Sequence, residues 1–410
     1  MPLSVWRPKR LMDWAMLLFL LWFGSYAYMY VFNSGGPKPL YSYLLLLAVG
    51  VIYVAFAAAE QKRISSWLSG FLLWLVLYLA YGAFEFIRSS QDQESIQVLI
   101  TLGEAVLLGS AFTIGMDDPR RVRLGSAALA LLAWAGAVLN ILDFHHPLFT
   151  QIPGRAAGLY GSPTVAGNFI ALAMVAGSFQ IPRRWRWWYI MFCGAGIAVT
   201  FSRESWILWG AAVAGLAWAG VLGRARVRWL SLSATVLVGI GLTLSLFLGQ
   251  AGRALSNFGV SNYLTPDTAT RLGIGASSLS GEATQQRLYV IRYSLDLATE
   301  EPLLGHGLGY TRAWNYFQGP HNMYLLFLVE GGVIGLALYL SLLGILWRTS
   351  IGIGRVLTVQ ILISSFFSHN HLEQAAILLI MAYIAVHGAT YRSGRLAEVP
   401  PPGDVDWQPR

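Results

Sequence analysis

Apolar residues run in blocks near 20 long, divided by short polar connectors, along most of the chain. A helix of that length crosses about 30 Å of hydrocarbon. The blocks predict about twelve spans, at 13–32, 40–59, 66–87, 96–116, 124–142, 163–181, 187–201, 205–222, 229–249, 322–347, 356–368 and 372–391. Their apolar residues are continuous and do not alternate, which excludes a transmembrane β-barrel. The expected fold class is an all-α polytopic membrane protein. One long polar interruption separates the ninth span from the tenth. The chain therefore divides into spans 1–9 over residues 1–249, a large loop over 250–321, spans 10–12 over 322–391, and a tail over 392–410.

Composition agrees with this pattern. Hydrophobic residues make up 56% of the chain and charged residues 12%, where a soluble protein carries about a quarter charged residues. With the N-terminus inside, 19 of the 28 basic residues fall on inner segments, among them Arg120, Arg183, Arg224 and Arg348. Every short inner loop is basic, so the positive-inside rule puts both termini in the cytoplasm and the long loop outside. The formal charge of +8 thus follows from topology, and no nucleic-acid partner is expected. The single cysteine, Cys193, lies within a span and forms no intramolecular disulfide. The first apolar stretch lacks a small-residue cleavage site and reads as a retained span. The Pro400-Pro-Pro-Gly-Asp tail reads as a disordered cytoplasmic end.

The remaining nine basic residues are the informative ones. Five lie in the long loop, including Arg271, Arg287 and Arg292. Arg203 sits in a tight Phe-Ser-Arg-Glu turn after an apolar stretch of about 15 residues, short for a full crossing. It is either an interfacial anchor beside Trp206 or a cation facing a polar cavity, the usual setting of an arginine at membrane depth. Arg155 follows Gly154 in a glycine-rich approach to the next span. There it is either a solvated loop arginine or a bidentate donor to an anion. His321, between Pro320 and Asn322 where a span begins, can take up a proton near neutral pH. Nearby arginines would keep it neutral and so competent as a base. His306, in a Gly-His-Gly-Leu-Gly turn, competes for that role. His369-Asn-His371-Leu-Glu373 reads as an outer cap between two spans and not as a metal site, because its spacing is too loose for zinc. The glycines of Val329-Glu-Gly-Gly-Val-Ile-Gly335 read as close helix packing. A cluster of fixed cations and a histidine at a bilayer surface suits an anionic, lipid-linked substrate.

Taken in order, these residues resemble the O-antigen ligase and polymerase superfamily. The resemblance rests on Arg155-Ala-Ala-Gly with Pro163, Phe201-Ser-Arg203, Arg287, Pro302-Leu-Leu-Gly-His-Gly-Leu-Gly309, His321-Asn322-x-Tyr324 and Glu330-Gly331. It covers roughly residues 120–390, and Thr164 departs from the asparagine frequent in relatives. The resemblance implies a bacterial inner-membrane, multi-pass glycosyltransferase with a periplasmic active site. An undecaprenyl-pyrophosphate-linked O-antigen would be the donor and a sugar hydroxyl of lipid A–core the acceptor, completing lipopolysaccharide. Carried over, Arg203 and Arg287 bind the pyrophosphate and His321 acts on the acceptor hydroxyl. Arg155, Arg271, Asn322 and Tyr324 are the substrate-binding candidates, with Arg271 able to replace Arg287.

Fixed arginines can stabilise a departing pyrophosphate without a metal, and a positioned base can activate the hydroxyl. The first outer loop, from Asn33 to Pro39, holds no acidic residue, so no metal and no cofactor is expected. Direct attack inverts the anomeric centre. The alternatives are an O-antigen polymerase, a protein O-oligosaccharyltransferase, and a lipid-linked glycan flippase or transporter.

Overall fold

The computed structural model describes residues 11–48, 66–150, 152, 154–222, 268, 282–314 and 319–392. Among these residues the regular structure is helical and contains no strand. The helices are α1 (Leu11–Gly24), α2 (Ala27–Asn33), α3 (Pro39–Ala48), α4 (Ser66–Arg88), α5 (Gln93–Gly115), α6 (Pro119–His145), α7 (Pro163–Gly177), α8 (Arg183–Ala198) and α9 (Arg203–Trp218). After a gap come α10 (Glu282–Glu300), α11 (Tyr310–Ala313), α12 (Met323–Thr349), α13 (Ile353–Ser364) and α14 (Ala375–Arg392).

Five of these, α4, α5, α6, α12 and α14, are long and apolar enough to cross a membrane. The α1–α2 pair, bent by 58°, makes a sixth if it counts as one broken span. The protein is an α-helical polytopic membrane protein. The predicted spans at 163–181, 187–201 and 205–222 correspond to α7, α8 and α9, which have 15, 16 and 16 residues. Each is cut short by local chemistry. A 3₁₀ turn at Ser178–Gln180 and then Pro182 end the α7 run. Phe201, with φ 48°, ends the α8 run. The predicted span at 229–249, the residues 250–267 and 269–281, and the tail beyond 392 lie outside the described residues.

Helix starts follow from capping. The Asp92 carboxylate accepts from Ser95 N at 2.8 Å to open α5. Asp118 accepts from the Arg120 amide to open α6, with Pro119 at the first helical position. Glycines then set the packing distance. A Cβ on Gly177 would meet the Ala130 backbone at 2.4 Å, and one on Gly196 would meet Ala137 at 2.4 Å, so α7 and α8 lie hard against α6. Helix α14 is the centre of the bundle: 83% of its apolar window is buried, against 28% for α4. Leu73, Val76 and Leu77 of α4 stay exposed, as a lipid-facing helix requires. Away from the segments described next, buried Asp13 of α1 pairs with Arg121 at 3.2 Å and Arg120 at 3.1 Å.

Candidate active site

Asp143, fully buried near the end of α6, organises the segment that carries Arg155. Its Oδ1 accepts from the backbone N–H groups of Leu148, Phe149 and Thr150, at 2.9, 2.8 and 3.4 Å. Its Oδ2 accepts from Ala157 and Gly158, at 2.8 and 3.1 Å. One carboxylate therefore pins both ends of the loop. Arg155 is itself buried, and its Nε donates to the Thr200 carbonyl at 2.9 Å. The Ala156 amide donates to Val199 O at 3.0 Å. Arg155 is thus not a solvated loop arginine. It is clamped onto the α8–α9 turn at Thr200, three residues before Arg203 begins α9.

Ser202 caps α9, its side chain accepting from Ser205 N, and leaves Arg203 exposed in the first helical turn. Glu204 points inward. Its Oε1 accepts from Asn168 Nδ2 of α7 at 2.6 Å and from Ser364 Oγ of α13 at 2.7 Å. The Ser364 hydroxyl also lies 2.9 Å from His371 Nε2, and Ser365 Oγ lies 3.4 Å from His371 Nδ1. On the other side, Ser205 Oγ donates to Asn168 Oδ1 at 2.7 Å. Every member of this network is buried. It ties the helix headed by Arg203 to the α13–α14 turn. Burial and the neighbouring His369 push the His371 imidazole down to about 3, so it stays neutral.

His321 stands at the start of α12 with φ 45°. Its ring meets His369 edge to face, with centroids 4.9 Å apart. Burial and the Arg312 guanidinium lower the His369 pKa. A neutral imidazole therefore faces His321 and adds no charge to oppose its protonation. The two neighbours carried over as substrate contacts do structural work here. Asn322 Oδ1 caps α12 by accepting from Tyr324 N at 2.9 Å and Leu325 N at 3.2 Å. Tyr324 OH donates to Leu362 O of α13 at 3.0 Å.

The glycine motif is a bracket. Gly305, Gly307 and Gly309 all have positive φ, and each lies where a Cβ would meet backbone. Gly305 abuts Glu330 and Gly332 of α12 at 2.6 Å, Gly307 abuts Ser89 at 3.2 Å, and Gly309 abuts Ser95 at 3.0 Å. Helix α12 breaks at Gly332, with φ 59° and ψ −157°, and Val333 N donates to Pro302 O at 2.9 Å. Gly332 therefore admits a loop backbone at a helix break. Gly331 and Gly335 let α12 lie against α4, where a Cβ would meet the Tyr81 hydroxyl at 2.5 and 3.3 Å, the close helix packing that the sequence suggested. His306 belongs to the bracket: its Nε2 lies 3.0 Å from Leu297 O and its ring stacks on Tyr310 at 4.5 Å. Glu330 accepts from the Thr311 hydroxyl at 2.5 Å, and Arg312 pairs with Glu373 at 2.5 Å. Beside this bracket is a cavity of about 310 Å³ between α4, α5 and α12, with His369 in its wall.

The segments that the charge map puts outside, at 88–95, 143–162, 202–204, the described part of 250–321, and 369–371, are thus joined, together with the helix ends beside them, by hydrogen bonds and close contacts. A family model described as O-antigen ligase matches residues 188–340. Over that stretch the chain is similar to the O-antigen ligase family. The match holds the α8–α9 turn with Arg203, the whole 250–321 segment, and His321 through the α12 break. Arg155, His369 and His371 lie beyond it and reach the matched stretch only through the fold. No curated protein matches the chain. Of the family-derived candidates, Arg271 lies outside the described residues, and Arg287 falls on α10 with its side chain outside them. Asp143 and Glu204 were not among the sequence candidates, and His371 was read only as part of an outer cap. A polar Asn168 inside the apolar run of α7, and a glutamate directly after Arg203, were the signals available.

Proposed function

We propose that the protein moves O-antigen polysaccharide from undecaprenyl pyrophosphate to a sugar hydroxyl of lipid A–core at the periplasmic face of the inner membrane. The observation that carries this reading is the O-antigen ligase match, which contains both Arg203 and His321, on a fold that links the two. That link runs from the Arg203 turn through Glu204 and Ser364 to His371, and from neighbouring His369 to His321. Arg203 and Arg287 hold the pyrophosphate, and Arg155 supports the Arg203 turn from behind. His321 takes the proton of the acceptor hydroxyl as its oxygen attacks the anomeric carbon. The bond from that carbon to the pyrophosphate oxygen breaks, and the carrier departs as undecaprenyl pyrophosphate with its growing charge on the arginines. Attack from the opposite face inverts the anomeric centre. Removing one preorganised donor costs about 10²–10³ in rate, and removing a general base about 10²–10⁴.

The test is reconstitution of the full chain with carrier-linked O-antigen and purified lipid A–core, read by gel mobility. Core that shifts upward, with the shift lost in His321→Ala and reduced at least a hundredfold in Arg203→Ala, is the expected outcome. Lengthening of carrier-linked glycan with unmodified core would make the protein a polymerase. Full transfer by a well-folded His321→Ala variant would remove that residue from the reaction.

A further inference from the structure

The cavity walled by His369 has a composition opposite to that of the arginine side. Its charged and titratable lining is Glu85, Glu94, Glu330 and Glu373 against Arg312 and His369. Two of the carboxylates are paired, Glu85 with Arg88 at 2.8 Å and Glu373 with Arg312 at 2.5 Å. Glu330 accepts from Thr311 at 2.5 Å. Glu94 stands in the first turn of α5, half-exposed to the cavity. Tyr78 and Tyr81 supply aromatic surface on the α4 wall. A cavity of about 310 Å³ is within the range of small-molecule sites, which combine apolar surface with a few convergent polar groups. The Nδ1 of His369 is buried and has no hydrogen-bond partner among the described residues. A group in this cavity lies one ring away from His321.

We infer that this cavity seats the sugar that receives the glycan, and that it takes an uncharged or amino-bearing sugar in preference to a phosphorylated one. The inference rests on the transfer reading of His321 and adds where the nucleophile binds and what charge it bears. Sugar hydroxyls donate to carboxylates, and the nonpolar face of a pyranose packs on tyrosine rings. An ammonium group gains from the excess of carboxylates. A phosphate is opposed by them at short range in a partly desolvated site, where like charges repel far more strongly than in water. Donor and acceptor are thereby sorted by sign: the anionic carrier goes to the arginines and the polyhydroxyl acceptor to the carboxylates, where His369 in the cavity wall borders His321.

The experiment is transfer kinetics of the full-length protein, with the acceptor glycolipid varied at saturating donor and then the reverse. Glu94→Gln keeps the shape of the wall and removes a charge. Val98→Trp, on the same α5 wall, fills the space. Glu94→Gln should raise the acceptor KM about tenfold, as expected for a lost hydrogen bond to a charged group. Val98→Trp should raise it further. Both should keep the donor KM and should bind geranylgeranyl pyrophosphate as the parent protein does. As competitors, core oligosaccharides freed of phosphate should inhibit at least tenfold better than the same oligosaccharides phosphorylated on the terminal sugar. An unchanged acceptor KM in both variants, with His321→Ala inactive, would overturn the inference. So would equal inhibition by the two oligosaccharides. Active His321→Ala would instead defeat the transfer reading beneath it.

Discussion

Among individual residues, the buried carboxylates and imidazoles decide more than the exposed cations do. Asp143 satisfies five backbone N–H groups at both ends of the loop that delivers Arg155 to the α8–α9 turn. Asp143→Ala leaves those donors facing a hole. It should cost at least about 3 kcal/mol of stability, because each hydrogen bond to a charged acceptor contributes about 1.5–3 kcal/mol. Asp143→Asn, which offers one oxygen in place of two, should fall between. Thermal unfolding in detergent checks both. His371 adds a pH dependence of definite sign. It is neutral in the fold, with a pKa near 3, and titrates near 6.5 when unfolded. Between those values the unfolded chain binds the extra proton. Stability should therefore fall as pH drops below about 6.5, by about 1.4 kcal/mol per unit through that window. His371→Gln should flatten this slope. An unchanged slope would mean that His371 is not the titrating group.

Between elements, the decisive joint is the one where the glycine bracket meets the break in α12. Three short segments share it: the 302–309 loop, the α4–α5 turn and the α12 backbone around Gly332. Backbone meets backbone there, so no side chain can yield. A Cβ on Gly332 would stand 2.4 Å from Leu303, and its φ of 59° disfavours any L side chain as well. Gly161 has a similar φ of 66° but open space around it. Gly161→Ala should therefore cost only the conformational penalty, about 1–2 kcal/mol. Gly332→Ala should cost well beyond that and should displace His321, one end of the same helix, with loss of transfer. Comparing unfolding midpoints and activities of the two variants separates conformational strain from steric exclusion. Equal effects would show that the joint tolerates more room than its geometry allows.

For the molecule as a whole, α14 forms the buried axis and α4 and α5 an outer, lipid-facing layer. The segments joined at the site are those the charge map puts outside. This makes topology directly testable, because the one cysteine, Cys193, is buried. In a Cys193→Ser background, cysteines at Ser90 and Leu148 should react with an impermeant maleimide added outside. A cysteine at Trp185, which is 54% exposed, should react only after the membrane is opened. The reverse pattern would invert the orientation and move the site to the cytoplasm.

The fold class was legible in the sequence because hydrocarbon leaves little choice: a long apolar run must satisfy its backbone within itself, and it does so as a helix. The long helices followed for the same reason, though two begin earlier than the predicted 96 and 124, at Gln93 and Pro119, because Asp92 and Asp118 cap them. The positions of Arg203 and His321 at helix starts were legible from local chemistry, through Ser202 and Pro320. Tertiary structure decided what no single segment encodes. The burial of Arg155 depends on Thr200, 45 residues later, and the Glu204–Ser364–His371 network joins residues 160 apart. The glycines at 305–309 looked like a loose turn in sequence, yet each marks a backbone contact with a distant segment. The short α7–α9 helices and the break in α12 were hidden because an apolar run reads the same whether a helix continues, bends or stops. Hydrophobicity is additive along a chain and can be read off it. Hydrogen bonds and backbone clearances belong to pairs, and the pairs exist only after the helices have packed.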